Sequence, residues 1–487
     1  MVDNRLGYEP QLEPGFREAS PAGKLWKHLV FALLIGLALR VFLIWRFPNE
    51  WADSLVYDEL ARNLIDHRVY GVFLDGKLTP VNLRMPGYPG FLAVIYLLFG
   101  RSPMATMLAQ VVVDLCTCVL TAVLAALLAP ESSRRRVFIA GLWLAATCLF
   151  LASYPAALVT ETLTACITTA ALVLLVKAYQ NEAASPNVPK PAYNGKVWFL
   201  GALLVGLATL VRPETPLLMA ATAAVVLIRW WRPAGWPKVF RIGALLAVGL
   251  VLPLLPWAAR NWRTFRTVQL LTPRYYEMPG DYTPRGFYAW INTWLVRMRD
   301  AQGVFYKLED EPVPIENVPD SAFDSPEEKK RVAALLDQYN ATTSVTPELD
   351  AQFADLARER AARHPLRTYL WIPLRRSVSI WFTPRTDIFP YSSDIWPPAE
   401  RWEKDAVGFS LTVGLVLVNV FYLGLALAAA WRWRRQPGVL LLVAFIVVRT
   451  AYFARVETPE PRYVLVCIPA VLALGALTIG VRQNGQE

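Results

Sequence analysis

Apolar residues recur in this chain in runs of about twenty with almost no charge, and no other feature constrains its fold as tightly. A bilayer's hydrocarbon core takes roughly 20 helical residues to cross, and segments 27–46, 104–129, 407–431 and 462–481 meet that length. Apolar residues make up 55% of the chain, which leaves little room for several soluble domains. The 18 Trp and 19 Tyr, many at the ends of the runs, suit the interfacial belt where amphipathic rings settle. The implied fold class is an all-α polytopic membrane protein.

The net charge of +10 invites a nucleic-acid reading, but its placement argues against one. Arg and Lys gather in short links between apolar runs: Arg134, Arg135 and Arg136; Arg229, Arg232, Lys238 and Arg241; Arg432, Arg434 and Arg435. That distribution follows the positive-inside rule and needs no basic face on a soluble fold. The five cysteines, Cys116, Cys118, Cys148, Cys166 and Cys467, all fall inside apolar runs, so they read as small packers and make no disulfide framework. His28, His67 and His364 are scattered, which disfavours a His-based zinc site. The polar N-terminal stretch before the first run, with no small-residue cleavage site after it, reads as an uncleaved signal anchor.

With the first helix running outward from Lys24 and Lys27, the basic links dictate the rest of the path. Segment 87–100 is short and bounded by Pro86, Pro89 and Gly100. If it crossed, Arg134 to Arg136 would be left outside, so it is placed as a surface helix. The remaining crossings are then 104–129, 137–155, 159–178, 197–211, 216–231, 239–258, 407–431, 438–456 and 462–481, each basic cluster and the Lys177 to Lys196 link falling inside. The count is ten, or twelve if a further pair hides around 366–384. The chain divides into a cytoplasmic tail at 1–26, a membrane module at 27–262 with an outer loop at 47–103, an outer lobe at 263–400, and C-terminal membrane helices at 401–487. In the lobe, Ser325-Pro326-Glu327-Glu328 and Thr346-Pro347-Glu348 carry helix-start chemistry, the second helix running to about Arg363 before Pro365. Segment 366–384 mixes Trp371, Ile372 and Trp381 with Arg367, Arg375 and Arg376 and predicts an amphipathic helix lying on the bilayer.

On this path the unusual polar residues collect at the outer ends of the helices: Asp53, Arg84, Glu161, Arg212, Trp257, Arg260, Asn261, Arg462 and Tyr463. Ionisable groups near hydrocarbon are costly and usually face a cavity or each other. Outside the membrane neither ATP nor a nucleotide sugar is at hand, so a donor must arrive on a lipid. A sugar on a lipid phosphate leaves behind negative charge, which preorganised arginines stabilise. An acceptor hydroxyl needs a base, and one ionised carboxylate suffices. Asp53 is the candidate base; it is equally well placed to cap a helix. Glu161 could serve the site or pair with an arginine, and each arginine alone could be a snorkelling residue. Asp114, deep in the second crossing, has Arg40 and Arg449 as candidate partners: a buried structural pair is the plain alternative, a transport pathway the sharper one.

At these residues the chain resembles the GT-C superfamily of lipid-phosphate-sugar-dependent transferases, which includes protein O-mannosyltransferases and lipid A aminoarabinose transferases. Asp53, Tyr57, Leu60 and Ala61 match its first-loop pattern, followed by Arg-x-Pro-Gly-Tyr-Pro at 84–89, which contains Tyr88. Glu161 matches the acid that opens a later outer helix, Arg212 and Pro213 an Arg-Pro step, Pro256, Trp257, Arg260 and Asn261 a Pro-Trp-x-x-Arg-Asn element, and Arg462 and Tyr463 the closing Arg-Tyr. The resemblance implies a GT-C-like fold of about 10–12 transmembrane helices with surface helices and a mainly helical periplasmic lobe. It implies inverting transfer of a hexosyl or pentosyl group from a polyprenyl-phosphate sugar to a hydroxyl on a glycolipid, polysaccharide or protein, at the periplasmic face of a bacterial inner membrane. In that scheme Asp53 is the base, Arg84, Arg212, Arg260 and Arg462 receive the donor phosphate, and Tyr57, Tyr88, Glu161, Trp257, Asn261 and Tyr463 support the substrates. Two departures stand out: the adjacent acid pair of some relatives is here Asp53-Ser54, with Asp58-Glu59 displaced, and the second acid is Glu rather than Asp. Members differ in metal use, so neither a metal nor another cofactor is assigned. The rival of another class is a transporter or flippase of lipid-linked sugars, which would place functional charges near the midplane and show paired halves; the sequence shows one deep Asp and no repeat.

Overall fold

The computed structural model describes residues 21–49, 52–183, 194–275, 282–383, 389, 391 and 395–481. Most of the predicted tail at 1–26, much of the Lys177 to Lys196 link and parts of the predicted lobe lie outside them. The described chain is almost wholly helical. In order, α1 is Pro21–Arg46, α2 Ala52–Asp66, α3 Gly87–Phe99, α4 Pro103–Leu128, α5 Arg134–Ala146, α6 Leu149–Ala152, α7 Glu161–Ala183, α8 Asn194–Thr209, α9 Leu217–Trp230, α10 Trp236–Val251 and α11 Leu255–Phe265. Then come α12 Arg285–Ile291, α13 Met298–Val304, α14 Pro326–Thr342, α15 Pro347–Arg363, α16 Ile372–Phe382, α17 Pro398–Lys404, α18 Ala406–Arg432, α19 Pro437–Phe453 and α20 Ile468–Gly480.

Every apolar run of the sequence is helical. Among the described residues six helical segments are long and apolar enough to cross a membrane: Leu25–Arg46, Pro103–Leu128, Glu161–Ala183, Pro233–Phe265, Ala406–Arg432 and Pro461–Gly480. Glu131–Ala146 and Leu149–Ala156, bent by 47°, make a seventh if taken as one span. The three remaining predicted crossings are the shorter apolar helices Asn194–Thr209, Leu217–Trp230 and Pro437–Phe453. Each stops short at the same end of the bundle, where α8 and α9 give way to residues 210–216 and α19 to residues 454–460. The length they lack is chain spent on the polar site described below.

The middle of the bundle is a packed apolar core. α20 is buried along almost its whole length, enclosed by α4, α5 and α18, whereas α1 stands at the periphery with Phe31, Leu34, Phe42 and Trp45 exposed. α7 packs on both α4 and α8, and α8 in turn on α10, with Trp198, Ala202, Leu172 and Leu175 fully buried between them. Such apolar outer faces suit lipid, which solvates them as well as a protein interior does.

Two structures cover the site end. After α1, α2 leads into an antiparallel hairpin, β1 Gly71–Leu74 and β2 Lys77–Pro80. Its turn is Asp75-Gly76, both at positive φ (50° and 74°), the backbone a two-residue hairpin turn requires. The surface helix predicted at 87–100 is α3, with Val94, Leu97, Leu98 and Phe99 exposed. The second structure is the lobe, whose own core joins Phe287, Trp290, Leu335, Leu336, Tyr339 and Phe353. Ser325 and Thr346 cap α14 and α15 as their sequence foretells, accepting from Glu328 N at 3.2 Å and Leu349 N at 3.3 Å. The predicted interfacial segment is a π turn at Arg367–Trp371 running into α16, with Trp371, Leu374, Val378 and Phe382 exposed. From its opposite face, buried Arg376 reaches back into the protein.

Candidate active site

The site begins where α1 ends. Asn49 N donates to Ala156 O at 2.9 Å and Ser54 Oγ to Leu158 O at 3.0 Å, so the turn before α7 fixes the start of α2. Asp53 lies in the first turn of α2, where a carboxylate is favoured by the helix dipole. Arg84 Nη2 donates to its Oδ1 at 2.7 Å, and Arg462 Nη1 approaches its Oδ2 at 3.4 Å. Arg84 also lies over the ring of Tyr57, which packs edge-on against Tyr88. Tyr88 donates to Gln110 Oε1 at 2.9 Å, and Gln110 donates to Pro155 O and Ala157 O, locking this aromatic pair to the α7 turn.

Two further arginines lie behind. Arg212 bridges Glu161 Oε1 and Glu214 Oε1, each at 2.6 Å. Arg449 Nη2 reaches Glu214 Oε1 at 3.2 Å, and its Nε donates to Tyr463 O at 2.7 Å. Arg462 pairs through Nε with Glu460, which also accepts from Tyr463 at 2.7 Å and from Tyr306 of the lobe at 2.6 Å. Six chain segments thus meet in two alternating chains of acids and arginines, Arg84–Asp53–Arg462–Glu460 and Glu161–Arg212–Glu214–Arg449, joined where Arg449 bonds the backbone of Tyr463. Within them Glu161 and Glu460 are buried and Glu214 is nearly so, whereas Asp53, Arg84 and Arg462 keep 28%, 27% and 21% exposure and form the open side.

The electrostatics follow from that arrangement. Burial pushes the Asp53 carboxyl up, but Arg84, Arg462 and Arg212 outweigh it and hold it below the ordinary carboxylate value. Burial is outweighed likewise at Glu214 by Arg212 and Arg449, and at Glu460 by Arg462 and the two tyrosine hydroxyls. Burial pushes Tyr57 up to about 12, so it stays a neutral donor. Each carboxylate of the network is faced by an arginine, and among the described residues no group of three or more His, Cys, Asp or Glu is gathered at one place.

Sequence places Trp257, Arg260 and Asn261 in the same site; the structure gives them a neighbouring position. Arg260 donates to Val81 O at 2.9 Å and Tyr70 O at 2.7 Å, with its guanidinium over the rings of Tyr70 and Trp257. Asn261 donates to Gln269 O at 3.1 Å, and Tyr70 donates to Arg84 O at 3.0 Å. This second cluster clamps the loop that carries Arg84. Asp58 turns away toward α3, accepting from Tyr96 at 2.7 Å and pairing with Arg62 at 2.9 Å. Asp114 is paired with Arg40 at 2.6 Å deep in the bundle, and Arg40 also donates to Gly36 O and Ala146 O. That is the plain structural pair, while Arg449 is turned to Glu214. Glu214, Glu460 and Tyr306 were not singled out in the sequence. Glu214 stands two residues from Arg212 and Glu460 two from Arg462, and an acid so close to a site arginine is the signal that could have found them.

No family model matches the chain, and no curated protein matches its sequence. Among solved structures it is similar to the oligosaccharyltransferase AglB of Archaeoglobus fulgidus in complex with an inhibitory peptide and a dolichol-phosphate, at 14% identity and TM-score 0.49, over 94% of this chain and 50% of that one. It is also similar to ArnT from Cupriavidus metallidurans: 14% identity and TM-score 0.42 for the apo state over 95% of this chain and 78% of that one, and TM-score 0.38 for ArnT bound to undecaprenyl phosphate. The chain spans about half the length of the oligosaccharyltransferase it matches.

Proposed function

We propose that this membrane protein is a glycosyltransferase that moves a sugar from a polyprenyl-phosphate carrier to a hydroxyl acceptor, with Asp53 as general base. The observation that carries this is the open side of the network, where a partly exposed carboxylate stands against two partly exposed arginines at one end of a bundle of apolar helices. In the reaction, Asp53 Oδ2 takes the acceptor's hydroxyl proton as the acceptor oxygen attacks the anomeric carbon. The bond from that carbon to the phosphate oxygen breaks, and its electron pair leaves with the polyprenyl phosphate. Arg84 and Arg462 offset the charge on the departing phosphate, and Arg212, held by Glu161 and Glu214, adds positive potential behind them. Attack opposite the leaving group inverts the anomeric centre. The site end faces the outside of a bacterial-type inner membrane because the basic clusters at 134–136, 229–241 and 432–435 join the helices at the opposite end. The lobe, which covers the site end and contributes Tyr306, is where a glycolipid, glycan or protein acceptor is selected.

A flippase would work through charges near the midplane. The deep charges here, Arg40 and Asp114, are closed on each other at 0% and 1% exposure, which favours transfer over transport. The test combines purified protein and Asp53→Asn with radiolabelled polyprenyl-phosphate sugars and a membrane extract. The wild type should pass label to a new product, and the variant should lose about 100-fold or more in rate, the scale of a missing general base, with its fold intact. Near-wild-type turnover by Asp53→Asn would remove that residue from the role. Label crossing proteoliposomes still on its carrier would establish a flippase instead.

A further inference from the structure

We propose that Glu460 is a positioning residue that holds Arg462 off Asp53, so that one carboxylate oxygen of Asp53 stays available to the acceptor; this rests on the transferase reading above. The geometry is asymmetric. Asp53 Oδ1 is engaged by Arg84 at 2.7 Å, whereas among the described residues Oδ2 has only the 3.4 Å approach of Arg462, beyond the ordinary range for an N–H···O bond. Arg462 is divided between two acids. Its Nε is turned to Glu460, and its Nη1 approaches Asp53. An arginine without that second acid closes on a carboxylate in a fork, with two parallel bonds. Both oxygens of Asp53 would then be occupied, and the acceptor's proton would have to displace a charge-assisted bond.

Glu460 is built to prevent this. It is buried, and its Oε1 accepts from Tyr463 at 2.7 Å and from Tyr306 at 2.6 Å, which leaves Oε2 aimed at Arg462. The groups facing Glu460 are therefore Arg462 and Tyr463 on its own segment and Tyr306 from the lobe. Those facing Asp53 are Arg84, Arg462 and Arg212, with Tyr57 and Glu161 behind. Tyr306 follows α13, so the acid that positions Arg462 is itself held by the lobe. The base in the membrane module is thereby tied to the docking of the domain that covers it.

The experiment uses full-length purified protein, a polyprenyl-phosphate sugar turned over by the wild type, and the variants Glu460→Gln, Glu460→Asp and Tyr306→Phe. Glu460→Gln keeps the shape and the tyrosine contacts but releases Arg462. It should lower kcat by about 10- to 100-fold, part of the span of a general base, with donor KM within about threefold and a melting temperature near wild type. Its acid limb should move to lower pH as Arg462 closes on Asp53. Glu460→Asp should restore part of kcat, and Tyr306→Phe should lower kcat by about threefold with donor KM unchanged. Unaltered kcat in Glu460→Gln, or a loss confined to donor KM, would overturn the inference while leaving the transferase standing. If Glu460→Gln fails to fold, an unchanged kcat in Tyr306→Phe overturns it equally. Absence of transfer by the wild type would overturn the functional reading and this inference with it.

Discussion

Asp53 shows how a single carboxylate is set by what surrounds it. Three arginines hold it below its ordinary value against the upward push of burial, so it remains ionised into the acid range. Its folded value lies below the unfolded one, near 3.9. The stability it contributes is therefore fully present above that unfolded value and is lost as pH falls through the lower folded value. Transfer should accordingly show no acid limb above about pH 4, as a pH–rate profile measured from pH 3 to 8 would reveal. A limb at pH 6 or above would assign the base to another group. At this scale much of the site was legible. Asp53, Arg84, Arg212, Arg462 and Glu161 are polar residues at helix ends on one side of an apolar bundle, and periodicity with charge placement brings them to one level. Their pairing was not legible, because whether Arg212 meets Glu161, Glu214 or a phosphate depends on distances of a few ångströms across separate helices. Arg260 makes the same point: sequence puts it at the right level, and only the fold shows it bonded to the carbonyls of Tyr70 and Val81.

At the scale of elements, the apolar helices and the caps of α14 and α15 follow from signals contained in short windows, and they were readable, although three of the ten expected crossings are helices shorter than a span. The hairpin at 71–80 also had its signal, Asp75-Gly76, but four-residue strands are too short to show alternation. What joins elements at the site is a close approach that no window reports. Gly87 N donates to Leu210 O at 2.6 Å, and a Cβ at Gly87 would lie 2.6 Å from that same oxygen. This contact ties the start of α3, three residues after Arg84, to the end of α8, two residues before Arg212. Gly87→Ala must push the two segments apart and with them the two arginines. A misplacement of about 1 Å can cost on the order of 100-fold in rate, so kcat should fall by about that factor with secondary structure retained by circular dichroism. Activity within a few-fold of wild type would mean that the spacing of Arg84 and Arg212 is not critical.

At the scale of the whole molecule, a lobe with its own core sits on a bundle with another, and a few buried polar groups join them. Arg376 on α16 is the centre of that joint: its Nε donates to Leu295 O at 2.6 Å, and its Nη1 donates to Asn292 Oδ1 at 2.7 Å and Val456 O at 3.1 Å. Beside it, Glu457 accepts from Arg274 at 2.7 Å and from Tyr275 at 3.2 Å. The same stretch of chain, 456–462, thus holds the lobe through its first residues and Asp53 through its last. An interfacial helix read from the sequence as membrane-facing therefore has a second face with a different task. Arg376→Met would leave these carbonyls buried without their donor, at about 1–3 kcal/mol for each unmet group. The two cores are separate, so the damage should be local. Hydrogen exchange should quicken at residues 289–296 and 454–462, while α14 and α15 keep their protection through Leu336, Tyr339 and Phe353. Transfer should fall along with the protection at 454–462, because Glu460 and Arg462 lie in that stretch. Exchange that quickened equally across α14, α15 and the joint would show that the lobe's core depends on its docking, and that lobe and site are one cooperative unit rather than two joined by a hinge of arginine and glutamate.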